Sequence, residues 1–189
     1  MDKHGIDISV VRYGTVSSYI LSQKCIPTFL NSTANPWLDF LPHSQAQNLA
    51  SQLNNDMEQY CATAPDVPNT SLKIKRLYGF GLLPLVPEIT TSALLQTVQQ
   101  IADLPHLRGL IMGTRGIGKG LDDEALHPVW SAIEKAGLVV FIHPHYGIDA
   151  NAWGDKDNGH VLPLALGFPF ETTTVHLNAQ FCKCADQCT

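Results

Sequence analysis

Two histidines, His143 and His145, stand near the end of the run LVVFIHPHYG at residues 138–147. A neutral imidazole is a good ligand for Zn²⁺ or a similar divalent ion, provided that something stiff fixes its position. Leu138, Val139, Val140, Phe141 and Ile142 supply the stiffness. A short unbroken run of β-branched and aromatic residues reads as a strand buried on both faces, as in a parallel sheet. Both histidines then fall at the strand's C-terminal edge, where α/β barrels keep their active sites. His143 is the candidate metal ligand, and its other reading is a strand-end histidine hydrogen-bonded to backbone. His145 is a candidate contact to substrate or to the outer side of a metal site, with an exposed loop imidazole as its alternative.

The elements that must position these residues alternate along the chain. Apolar strand candidates run over Ile6 to Val11, Leu77 to Leu83, Leu107 to Gly113 and Leu138 to His143. Between them, Gln45 to Tyr60 carries Ala46, Leu49, Ala50, Leu53 and Met57 at helical spacing. Glu88 to Asp103 places Ile89, Ala93, Leu94, Val98 and Ile101 on one side. A third helix begins near Pro128, packs Val129, Trp130 and Ile133 inward, and stops at Gly137. This βαβα order predicts an α/β fold with about four parallel strands, either open and doubly wound or part of a (β/α)₈ barrel. A barrel normally takes ~200 to 250 residues or more, so four strands suit an open domain or a slice of a barrel. Beyond residue 160, VLPLALGFPFETTTV is a helical pattern that Pro163 and Pro169 are expected to break.

Composition narrows the function classes. The chain has 189 residues, 44% of them hydrophobic and 15% charged, which suits one globular core. Its net charge of −5, with twelve Lys and Arg scattered singly, offers no basic stripe for nucleic acid. No apolar stretch approaches ~20 residues, and the start MDKHGIDISVV has no secretion pattern, so no membrane span is expected and the address is cytoplasmic. Five cysteines, at 25, 61, 182, 184 and 188, fit reduced thiols better than a disulfide framework.

Some patterns invite other chemistry. GTRGIGKG at residues 113–120 follows a strand and nearly spells a phosphate-binding loop, but Gly120 stands where a Mg²⁺-binding hydroxyl is required. Asp122, Asp123 and Glu124 then put acids where phosphates would sit, so the segment reads as a flexible βα loop. Cys182, Cys184 and Cys188, with His176 upstream, are a weak zinc pattern because no second knuckle accompanies them. Asn35, before Pro36, is by local rules a turn residue. His4, His43, His106, His127 and His160 lie at segment ends and read as ordinary surface or loop residues.

Taken in order, MDKHGIDISVV, ANPWLDFL, LYGFGLLPL, LRGLIMGT, LDDEALHPVW, FIHPHYG and LPLALGFPFETT resemble the middle of the amidohydrolase-related decarboxylases. That group includes the 2-amino-3-carboxymuconate-6-semialdehyde decarboxylases and, more similar in ANPWLDF and HPHYG, the uracil-5-carboxylate (isoorotate) decarboxylases. The resemblance implies a distorted (β/α)₈ barrel of the metal-dependent hydrolase type, often a homodimer, with one divalent metal, usually zinc. It implies non-oxidative loss of CO₂ from a small cyclic carboxylic acid such as 5-carboxyuracil. A metal would act as template and Lewis acid, and a carboxylic acid would protonate the ring carbon. On this resemblance His143 is a metal ligand and Asn35 faces the substrate, while His145 keeps its two readings, a substrate contact or an exposed loop imidazole.

The chain also departs from the pattern. The family's His-x-His strand, its later His and its metal-binding Asp have no matching positions here, and one imidazole is short of the roughly three protein ligands a catalytic metal needs. Residues 12–33, RYGTVSSYILSQKCIPTFLNST, form an atypical insert in a partial barrel domain of residues 1–175, and residues 176–189 form an aberrant tail. These departures lead to the expectation of a truncated or mispredicted gene product with little activity, carrying retained non-coding sequence at residues 12–33 and a shifted frame near the end. A transcript encoding these residues faithfully between genuine start and stop codons would reject it. A metal-dependent hydrolase on the same barrel and a non-catalytic fragment remain the alternatives, separable by the product released and by size-exclusion behaviour.

Overall fold

The structure, a computed structural model, describes residues 9–11, 37–68, 73–145, 161–175 and 177. Asn35, the insert at 12–33 and nearly all of the tail at 176–189 lie outside the described residues. Four parallel strands form one sheet: β1 (Ser9–Val11), β2 (Leu77–Leu82), β3 (Leu107–Gly113) and β4 (Val139–His143), in the order β1-β2-β3-β4. The helices α1 (His43–Ala62), α2 (Thr91–Asp103) and α3 (His127–Ala136) fall between successive strands. This is the arrangement of a partial (β/α)₈ barrel. No described helix is long and apolar enough to cross a membrane.

Each helix forms where its apolar stripe meets the sheet. Ala46, Ala50, Leu53, Met57 and Cys61 of α1 are buried, and so are Ala93, Leu94, Val98 and Ile101 of α2. β2 lets both helices come close, because Met57 and Ile101 fill the space that side chains at Gly79 and Gly81 would occupy. Asn54, fully buried on α1, bonds the backbone of Leu82 twice, its amide donating to the carbonyl and its Oδ1 accepting from the N–H. That pairing satisfies both Leu82 backbone groups and pins α1 to the C-terminal end of β2. α2 starts at Thr91 rather than Glu88, because Glu88 has φ +64° and the Thr90 hydroxyl caps the helix by accepting from Ala93 N. α3 carries Pro near its start and ends on Gly137, whose φ of 65° is the left-handed cap that glycine adopts without a Cβ clash.

The two faces of β4 differ. Register pairs Leu110 with Val140 and Met112 with Ile142, and these pack toward the helices. The other face aligns Gly109, Ile111 and Gly113 with Val139, Phe141 and His143. Phe141 stacks on Phe80 with centroids 6.0 Å apart, yet Val139 is 58% and Phe141 40% exposed. The expectation of a strand buried on both faces is therefore corrected. Among the described residues β4 is the edge of the sheet, and α1–α3 pack on one of its faces.

A second correction concerns residues 161–175, which are helical throughout, with a π-helical stretch at Pro163–Gly167. Pro163 opens the π stretch, where the ordinary i→i−4 ladder is replaced. Pro169 comes two residues after the π stretch, so the carbonyl four residues before it, that of Ala165, lies where the ordinary i→i−4 ladder is displaced. Three threonines behind it, Thr172, Thr173 and Thr174, each donate a hydroxyl to the carbonyl four residues earlier.

Candidate active site at the rim of the sheet

His143 ends β4 at the C-terminal edge of the sheet, on the face away from the helices. Its ring is half-buried and edge-on to Phe141 and Trp37, with centroids 6.1 and 5.7 Å apart. Its Nδ1 lies 2.6 Å from the carbonyl of Pro144. A carbonyl can only accept, so Nδ1 carries the proton, and in the neutral ring Nε2 is then the lone-pair nitrogen. This is the tautomer of a metal-binding histidine whose orientation is set by a hydrogen bond on its other nitrogen.

His145 is held in a different way. It is only 4% exposed, which removes its reading as an exposed loop imidazole: after Pro144 the chain turns inward instead of continuing the strand. Trp37 stacks on the ring at 4.6 Å and 9°, and the Trp37 indole N–H donates to the His145 carbonyl at 3.1 Å. The ring's Nε2 is 3.0 Å from Asp39 Oδ2, so in the neutral form Nε2–H donates to the carboxylate. Burial pushes the imidazole below its ordinary pKa, and the hydrogen bond and charge of Asp39 oppose that shift only in part. In their neutral forms the two histidines thus hold opposite tautomers, Nδ1–H in His143 and Nε2–H in His145.

Gly113 makes the stack possible. A Cβ there would lie 2.8 Å from Trp37 Cζ3 and 2.9 Å from His145 Nδ1, inside the contact distance of both rings. Next along β3's exit, Thr114 N–H donates to the His143 carbonyl at 3.3 Å. Glu171, from the 161–175 helix, accepts through Oε1 from the His145 N–H at 2.8 Å and from the Thr114 hydroxyl in a very short contact. Thr114, Arg115, Gly118, Gly120, Glu171 and Val175 border an open cleft of about 260 Å³ at this rim.

The glycine-rich loop does not serve as a phosphate cradle. Gly116 N–H donates to Gly113 O, and Gly118 and Gly120 N–H both donate to Arg115 O, so these amides are used within the loop itself. Zinc, which the sequence resemblance implies, is not accommodated by the described residues alone. Among them no three His, Cys, Asp or Glu side chains come together in a metal-binding group. His143 is a single imidazole with suitable geometry, while Asp39 and Glu171 are engaged with His145.

The structure brings His143 and His145 to one rim, and Asn35 lies outside the described residues. Sequence reasoning missed Trp37, Asp39, Thr114 and Glu171. Trp37 was within reach, being in the same ANPWLDF segment as Asn35. Asp39 stands in that segment too, but its pairing with His145, like the Trp37 stack, spans more than a hundred positions and has no local signal. His106 was also read as an ordinary loop residue, yet its ring and N–H pair with Glu58 at 2.5 and 2.8 Å, away from this rim.

No family model matches the chain. It is 33% identical over 127 residues to 2-amino-3-carboxymuconate-6-semialdehyde decarboxylase of Dictyostelium discoideum, a match covering 67% of this chain and 31% of that protein. It is 32% identical over 81 residues to 6-methylsalicylic acid decarboxylase of Penicillium expansum, covering 39% of this chain and 25% of that one. Among solved structures, IDCase of Metarhizium anisopliae in apo form superposes with a TM-score of 0.71 at 39% identity, over 94% of this chain and 39% of its own. The 5-carboxyvanillate decarboxylase of Sphingomonas paucimobilis superposes with a TM-score of 0.64 at 22% identity, over 93% and 43%, a likeness of fold. The chain thus spans about a third or less of the curated relatives and about two fifths of the solved ones.

Proposed function

The chain belongs to the amidohydrolase-related decarboxylase family, and from that premise we propose that it carries part of an active site for non-oxidative decarboxylation of a small cyclic carboxylic acid such as 5-carboxyuracil. In this reading residues 1–175 are a partial barrel with an insert at 12–33, and residues 176–189 are a tail outside the family pattern. His143 is one ligand of a divalent metal, zinc in the first instance, and Asn35 faces the substrate. His145 borders the substrate region through its backbone and its stack with Trp37, since its ring is committed to Asp39.

The observation that carries the reading is the placement of His143. Its Nδ1–H is tied to Pro144 O and its ring is wedged at the C-terminal rim by Trp37 and Phe141. A catalytic metal requires about three protein ligands, and the described residues supply one suitably placed imidazole, so turnover by this chain is expected to be weak.

The test is CO₂ release from 5-carboxyuracil by the purified 189-residue chain with Zn²⁺ added, beside His143→Ala. Slow release above the uncatalysed rate that vanishes in His143→Ala is the expected result. Release that is unchanged by the substitution removes His143 from the chemistry. Cleavage of lactones or amides with no CO₂ would favour a hydrolase on the same barrel.

A further inference from the structure

We infer that Glu171 is the positioning residue of this rim, a brace whose single carboxylate oxygen ties the 161–175 helix to the exits of β3 and β4 and thereby fixes the orientation of the His143 ring. Glu171 Oε1 takes two donors that belong to different strand exits, Thr114 Oγ1 after β3 and the His145 backbone N–H after β4. The same Thr114 hydroxyl lies 3.2 Å from His145 N, and the Thr114 N–H holds the His143 carbonyl. One oxygen therefore closes a ring of bonds around the Pro144 turn. That turn supplies the carbonyl that fixes the His143 tautomer.

The ionised carboxylate suits this task because it only accepts, and bonds to it are stronger than neutral ones. The brace reaches His143 by a second route as well. By fixing the His145 backbone it fixes the carbonyl that receives the Trp37 indole N–H, and Trp37 is the ring wedged edge-on against His143. Glu171 touches neither the His143 ring nor a reacting atom in these contacts, so its effect passes through Thr114, His145 and Trp37.

The functional meaning of the inference rests on the proposed role of His143, but its test uses neither metal nor substrate, so the two can fail separately. The experiment records ring ¹⁵N resonances of His143 and amide hydrogen exchange at His145 in the full chain, for the parent, Glu171→Gln and Glu171→Ala. Glutamine keeps an Oε1 acceptor but not the charge, so Glu171→Gln should retain the Nδ1–H tautomer of His143 and most of the protection at His145. Glu171→Ala should speed exchange at His145 by about tenfold or more, the size expected for a lost charge-assisted bond, and should average the His143 tautomers. If Glu171→Ala does not fold, Glu171→Asp withdraws the same oxygen by one methylene and should show the same two changes. Unchanged signals in Glu171→Ala, or in Glu171→Asp where that variant stands in, would overturn the inference. So would equal loss in Glu171→Gln, which would show that an acceptor at this position is not what holds the rim.

Discussion

At position 113 the absence of a side chain decides what the rim can hold. Trp37 and His145 occupy the space where a Cβ would stand, and neither ring has a flexible end that could yield. Gly113→Ala is therefore expected to lower unfolding stability by about 1–3 kcal/mol, the usual cost of overpacking, and to separate the Trp37–His145 stack. A denaturation midpoint equal to that of the parent would contradict this. Cys61 supports a prediction about pH. Burial, and secondarily the charge of Glu58, raise its thiol from 9.0 to about 11. The folded state therefore holds the proton more tightly than the unfolded chain, so the associated stability is complete below about pH 9 and is lost as pH rises toward 11. The loss is on the order of 2–3 kcal/mol. Unfolding free energies from pH 8 to 11 should fall more steeply for the parent than for Cys61→Ala, and parallel curves would refute it. The strand-end position of His143 was legible in the sequence because an apolar run ends on it, whereas the burial of His145 was not, since Trp37 and Asp39 reach it from over a hundred positions away.

Helices and strands were read correctly where local chemistry and long-range packing agree. α3 is the clearest case: Pro128 opens it, Val129 and Ile133 are buried, and Gly137 closes it in the left-handed region. Gly137→Ala is expected to cost about 1–2 kcal/mol, the penalty for a Cβ at positive φ, measured by chemical denaturation. No loss would mean that the cap relaxes without its glycine. α2 was read three residues too early because Ile89 continues its apolar stripe, but the turn at Glu88 and the hydroxyl of Thr90 set the true start. The 161–175 helix was misread because prolines count as breaks in a one-dimensional pattern. The π stretch that Pro163 opens, just ahead of Pro169, removes the conflict, and it is not visible without coordinates.

For the molecule as a whole, the sequence revealed the order of elements and the parallel sheet, while the uneven covering of that sheet appeared only in three dimensions. Helices shield one face, and the other carries Phe80, Val139, Phe141 and His143 toward the rim. At that rim the account stands on one proposal with a geometric basis: His143, whose Nδ1 is tied to Pro144 O, is the metal ligand, while His145 is stacked on Trp37 and bonded to Asp39. The most direct test is a Zn²⁺ titration of the chain followed by ring ¹⁵N resonances of both histidines. The account predicts a zinc-dependent shift at His143 Nε2 with the His145 ring unmoved. Zinc shifting His145 while leaving His143 untouched, or moving neither ring at saturating metal, would contradict it.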